Sequence, residues 1–155
     1  MDAIVRDRIL GLAAQLRAAS TAESRQRVAD GLWDLLDDIE RWPGVSAVGE
    51  DGEAAAWEIA QCCRNDPALA RRCLEYVEIA VAAGDAPAWH EACLLDRVLM
   101  NAGRPQRYGT QVVVGEQTNE LVAWPISDPE SVDVRRAGVG LPPLADHLSK
   151  LGARS

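Results

Sequence analysis

A chain of 155 residues, 48% of them hydrophobic, fits one domain that buries roughly 70% of the surface its unfolded form exposes, so disorder is excluded. Its net charge of −8 is uneven: Met1 to Gly103 holds 18 acidic and 10 basic residues, and the remainder holds 6 of each. A duplex carries about one negative charge per 1.7 Å, so a chain without a basic stripe makes a poor partner for nucleic acid or an anionic membrane.

One Lys against fifteen Arg, with abundant Ala, reads as a GC-rich bacterial coding bias. Asp2, Arg6, Asp7 and Arg8 interrupt any apolar core of a secretory leader, and no run of about 18 apolar residues is present. A soluble, cytoplasmic protein is expected. The four cysteines, Cys62, Cys63, Cys73 and Cys93, form no CxxC and read as small buried apolar residues. With only His90 and His147 beside them, no metal-ligand set has zinc spacing, and no metal or other cofactor is expected.

The first helix is predicted from about Asp2 to Ala19, with Ile4, Val5, Ile9, Leu12, Ala13 and Leu16 on one face. Ser20 and Glu23 have capping-box spacing and predict a second helix, which carries Val28, Leu32, Leu35, Leu36 and Ile39 and ends at Trp42-Pro43-Gly44. Val45 to Gly52 reads as a loop and Glu53 to Arg64 as a helix, which places Gln61-Cys62-Cys63 mid-helix. Asp66-Pro67 marks the N-terminus of the next helix and Gly84 its end. Asp85-Ala86-Pro87 is read as opening another, which runs to Ala102-Gly103. Connections this short make antiparallel neighbours.

Beyond Gly103 the pattern changes. Thr110 to Val114 and Leu121 to Trp124 are β-branched and strand-like, and they predict one hairpin. Asp128-Pro129 is read as the cap of a short helix to about Arg136, Leu141 to Leu151 as a last helix, and Gly152 to Ser155 as a frayed tail. The predicted fold is mainly α: stacked antiparallel helical hairpins with one small β-hairpin and short C-terminal helices.

Asp96 is the most informative residue. It shares a helix face with Trp89, Ala92, Cys93 and Leu99, and a buried carboxylate is costly unless it is paired. It is either a structural tie, accepting backbone N–H groups or an Arg from the following loop or the last helices, or an acid–base group. Gln106 to Gln111 concentrates hydrogen-bonding groups around Gly109, and Arg135-Arg136 could fork onto a carboxylate or phosphate. Cys62 lacks the helix N-terminus or cationic surroundings that activate a thiol, and neither histidine has triad-like spacing.

Taken together, Asp96-Arg97, Gln106-x-Tyr108-Gly109-Thr110-Gln111, Pro125-Ile126-x-Asp128-Pro129 and Arg135-Arg136-x-x-x-Gly140-Leu141-x-x-Leu144 resemble an uncharacterised bacterial, mainly actinobacterial, family known only as a domain of unknown function. The resemblance covers Ala29 to Leu151, with Trp42-Pro43, Val48-Gly49 and Gln61. It leaves 1–28 as a helical extension of a single 1–155 domain. Two departures stand out: the family's Gln is usually followed by His, where this chain has Cys62, and Cys93 stands where an aromatic is usual. The resemblance carries over no activity but adds weight to the polar positions.

The expected function is a small metal-independent enzyme or ligand-binding domain acting on a small anionic metabolite or a peptide by proton transfer, of isomerase, lyase, cyclase or hydrolase type. Asp96 and Tyr108 are the candidate catalytic residues. Arg97, Gln106, Thr110, Gln111, Arg136 and Gln61 are the candidate binding residues. The alternative is a non-catalytic interaction module, an accessory or immunity-type partner. No nucleic-acid or membrane partner is expected, and the oligomeric state is left open.

Overall fold

The polar cluster around Asp96 is assembled by residues C-terminal to Pro87, and the path of the chain explains why. A computed structural model describes residues 1–62 and 66–154. It divides the chain into two compact units, Met1–Pro87 and Ala88–Ser155. Both are mainly helical, and the second adds a two-stranded antiparallel sheet. Among the described residues no helix is long and apolar enough to cross a membrane.

In the first unit, helix α1 (Ala3–Ala18) starts where the Asp2 carboxylate accepts the Val5 N–H, and it buries Ile9, Leu12, Ala13 and Leu16. A three-residue connection folds α2 (Ala22–Ile39) back on it. The capping box sits one residue later than predicted: Thr21 is the N-cap, and Ser24 rather than Glu23 closes it. Ser24 stands at the third helical position, where a hydroxyl reaches back to the cap N–H.

Helix α3 (Val45–Cys62) begins inside the predicted Val45–Gly52 loop. Its first turn is helical, Gly49 breaks it at φ 78°, and the main helix follows. A glycine takes this left-handed conformation without the Cβ penalty, so a kink replaces a loop. Helix α1 packs on both α2 and α3, and α4 (Pro67–Ala82) joins α3. Asp66 caps α4 by accepting the Leu69 N–H, and Pro67 follows in the first turn, as the spacing predicts. Asp85 does not open a helix. Its carboxylate accepts the Ser46 N–H and hydroxyl at 2.7 and 2.9 Å, tying the end of α4 to the start of α3.

Of the cysteines, Cys73 and Cys93 are buried, whereas Cys62 is exposed at the end of α3. This corrects the expectation of a buried, mid-helix Cys62. Cys63 and Arg64 lie outside the described residues.

The second unit opens with α5 (Ala88–Asn101) and turns at Gly103, φ 70°. Strands β1 (Val112–Val114) and β2 (Leu121–Ala123) pair with Val113 opposite Val122. A 3-10 turn (Pro129–Ser131) leads into α6 (Val132–Gly138). Asp128, in left-handed conformation at φ 46°, makes no side-chain capping bond, so the turn begins without the predicted cap. Helix α7 runs Leu144–Leu151, and its Leu144 N–H is capped at a distance by Asp133 of α6 (2.8 Å). The predicted fraying is corrected by pairing: Arg154 accepts from the Ala123 N–H and donates its own to Leu121, extending the sheet by one bridge.

Candidate functional site

Helix α5 places Asp96 on its buried face, 0% exposed, and the chain returns over it after Gly103. The carboxylate collects three backbone N–H groups and one hydroxyl of that returning loop. Oδ1 accepts the Arg107 and Tyr108 N–H groups at 2.8 and 3.1 Å. Oδ2 accepts the Thr110 N–H at 3.0 Å and the Thr110 hydroxyl at 2.8 Å. A buried carboxylate is tolerable only with such coverage. Gly109, φ 67°, lets three N–H groups point inward within four residues, and a Cβ there would meet Leu144 Cδ1 at 2.7 Å. Asp96 therefore organises the loop, which is the structural tie that the sequence leaves as one alternative.

The two glutamines complete the frame. Gln106, 0% exposed, accepts the Gln111 N–H and donates to the carbonyls of Gln111 and Trp124 at 3.0 and 2.7 Å. Gln111 donates to the Cys93 carbonyl and the Thr110 hydroxyl. From α6, Arg135 donates to the carbonyls of Arg107, Ser127 and Asp128. Arg136, 0% exposed, donates Nε to Pro142 and Nη1 to Tyr108. Arg135 also lies 3.7 Å from the Asp128 carboxylate, whereas the Arg136 hydrogen bonds all go to backbone oxygens.

Electrostatics single out two further side chains. Among the described residues Arg136 makes no ion pair, and its buried Nη2 has no acceptor. Burial pulls its pKa down against the pull of Asp133, Cys93 and Asp96. His147 on α7 is shifted below its ordinary value, first by burial and then by the Arg136 guanidinium, with the Thr110 backbone opposing. Its Nε2 is likewise buried without a partner. The Cys93 thiol is pushed up to about 12 by burial and by Asp96, so it is inert as a nucleophile.

Of the residues named from sequence, Asp96, Gln106, Tyr108, Thr110, Gln111 and Arg136 come together in the second unit. Arg97 follows Asp96 on α5 and is half-buried. Gln61 belongs to the first unit, near the end of α3, and the cluster described here is built from the second unit alone. Sequence reasoning missed His147. No local spacing could have found it, since 37 positions separate it from Thr110 and only the packing of α7 joins them.

The model of a family of unknown function (DUF6624) matches residues 14–153. The chain belongs to that family. The DUF6624 match spans both units and begins before the motif resemblance, which starts at Ala29, so it takes in the last turn of α1, Ala14 to Ala18. No curated protein and no solved structure matches the chain.

Proposed function

We propose that this DUF6624 member binds a small anionic metabolite, or the carboxylate of a peptide, at the Arg136–His147 corner of its second unit, and performs acid–base chemistry there with its own side chains. The observation that carries this reading is the fully buried Arg136 guanidinium, whose Nη2 has no acceptor and which forms no ion pair among the described residues. A buried donor left unsatisfied is costly, and an anion would offset that cost. Tyr108 and His147 are both partly exposed and both neighbour Arg136: the Tyr108 carbonyl accepts its Nη1, and His147 feels its charge.

The roles follow from the bonds already made. Asp96 spends both oxygens on the loop, so it serves as a positioning residue rather than as the proton carrier. His147, held neutral by its surroundings, has a free nitrogen to accept a proton, and the Tyr108 phenol is the candidate donor to a developing oxyanion. Gln106, Thr110 and Gln111 bond to one another and brace the loop that carries Tyr108.

Thermal unfolding in the presence of acetate, succinate, phosphate or sulfate, against chloride at equal ionic strength, tests the reading. A bound anion at 100 times its Kd stabilises by about 2.7 kcal/mol. At least one anion is expected to do so saturably, and His147→Ala and Arg136→Gln should remove the effect. Identical unfolding in every salt would refute it. A second reading, a non-catalytic interaction module, is favoured by a different observation: Ile79 on α4 is 69% exposed.

A further inference from the structure

We infer that the first unit docks a short segment of a partner protein carrying a basic residue beside an aliphatic one. This sharpens the interaction reading and rests on the first unit alone. A groove of about 200 Å³ is walled by Trp42, Tyr76, Ile79, Ala80 and Ala83, with Glu40, Arg41 and Asp85 at its edges. It is smaller than the clefts that enclose drug-sized ligands, and it suits a side chain or two of a peptide segment. Helix α4 buries Leu69, Cys73, Leu74 and Val77 on its core side, yet turns Ile79 outward into the groove. A lone exposed isoleucine would mean little, but here it continues an apolar wall with Trp42, Ala80 and Ala83.

The charges at the edges choose the occupant. Glu40 is held in left-handed conformation at φ 51° as the C-cap of α2, and its carboxylate makes no ion pair among the described residues. Asp85 spends its oxygens on Ser46 and meets no cation in an ion pair among the described residues. Glu75 and Glu78 stand exposed on the same helix α4. The chain up to Gly103 holds 18 acidic residues against 10 basic, so the field around the groove is negative. The groove also contains a ring already used for a cation: the Arg72 guanidinium carbon lies 5.5 Å from the Tyr76 centroid and 4.8 Å from that of Trp33. A Lys or Arg stem would lie along Ile79 and Ala83 with its head at Glu40, while Arg41 could donate to the segment's carbonyls. A second copy of the chain would bring the same acidic edge to itself, which like-charge repulsion opposes.

Isothermal titration of the full chain with the capped peptide Leu-Arg-Leu-Arg-Leu, and with Leu-Glu-Leu-Glu-Leu as its counterpart, tests the inference. The basic peptide should bind saturably and more weakly in high salt, and the acidic one should not bind. Ile79→Arg changes an exposed position, so the fold should survive by circular dichroism while affinity falls about tenfold or more. Glu40→Gln should weaken the basic peptide but keep the fold. His147→Ala should leave peptide binding intact, which separates this site from the anion site of the second unit. Equal binding of both peptides, an affinity unmoved by Ile79→Arg, or a dimer that Ile79→Arg dissolves would each overturn it.

Discussion

At the scale of single residues, Asp96 shows how one buried carboxylate can organise a loop. Asn at this position keeps the shape but replaces one oxygen with a donor, which would then face the N–H groups of Arg107 and Tyr108, or that of Thr110. Asp96→Asn is expected to lower stability by about 2–4 kcal/mol, the cost of leaving buried donors unsatisfied, measured by urea unfolding. An unchanged midpoint would show that the loop does not depend on the charge. His147 makes a pH-dependent contribution whose sign follows from its depressed pKa. Between that folded value and the ordinary 6.5, the unfolded chain binds more protons, so stability is full above pH 6.5 and is lost as pH falls through the folded value. His147→Gln should flatten the slope of stability below pH 6.5, and a slope identical in both proteins would remove His147 from the account. That Asp96 needed partners was legible from a carboxylate on an apolar helix face. That its partners are backbone N–H groups, with Arg136 aimed elsewhere, was not, because the choice depends on Gly109 adopting a positive φ over α5.

At the scale of elements, the signals that worked were those satisfied by the chain's own neighbours. Asp66-Pro67 starts α4, and the glycines at 84 and 103 follow α4 and α5, because a cap bond or a left-handed residue acts within one turn. The signals that misled were caps whose side chains found better partners far away. Asp85 bonds Ser46 of another helix, and α7 takes its cap from Asp133 rather than from its own flank. The tail makes the same point. Deleting residues 152–155 removes the Arg154 carbonyl from the Ala123 amide and the Arg154 N–H from Leu121. Hydrogen exchange at Ala123 is expected to quicken about tenfold or more, as for a sheet amide that loses its partner. Unchanged exchange there would mean that the hairpin stands without the tail.

At the scale of the whole molecule, charge is the property that needs no coordinates. With a net charge of −8 and a pI near 4.7, the protein is expected to be least soluble near pH 4.7 and to leave a short DNA duplex unshifted at physiological salt. Retention of the duplex that weakens steeply with salt would contradict that. By itself the sequence determined the helical class, the lone hairpin, the order of the elements and the polar residues that gather after α5, because periodicity, capping and β-branching act over a few residues. Only the tertiary structure decided that Asp96 is spent on the loop, that Arg136 is left with an unanswered nitrogen, and that His147 stands beside it. Those outcomes depend on which chain segments fold back upon which, and a buried polar group is satisfied or stranded only by what the fold carries to it from far along the chain.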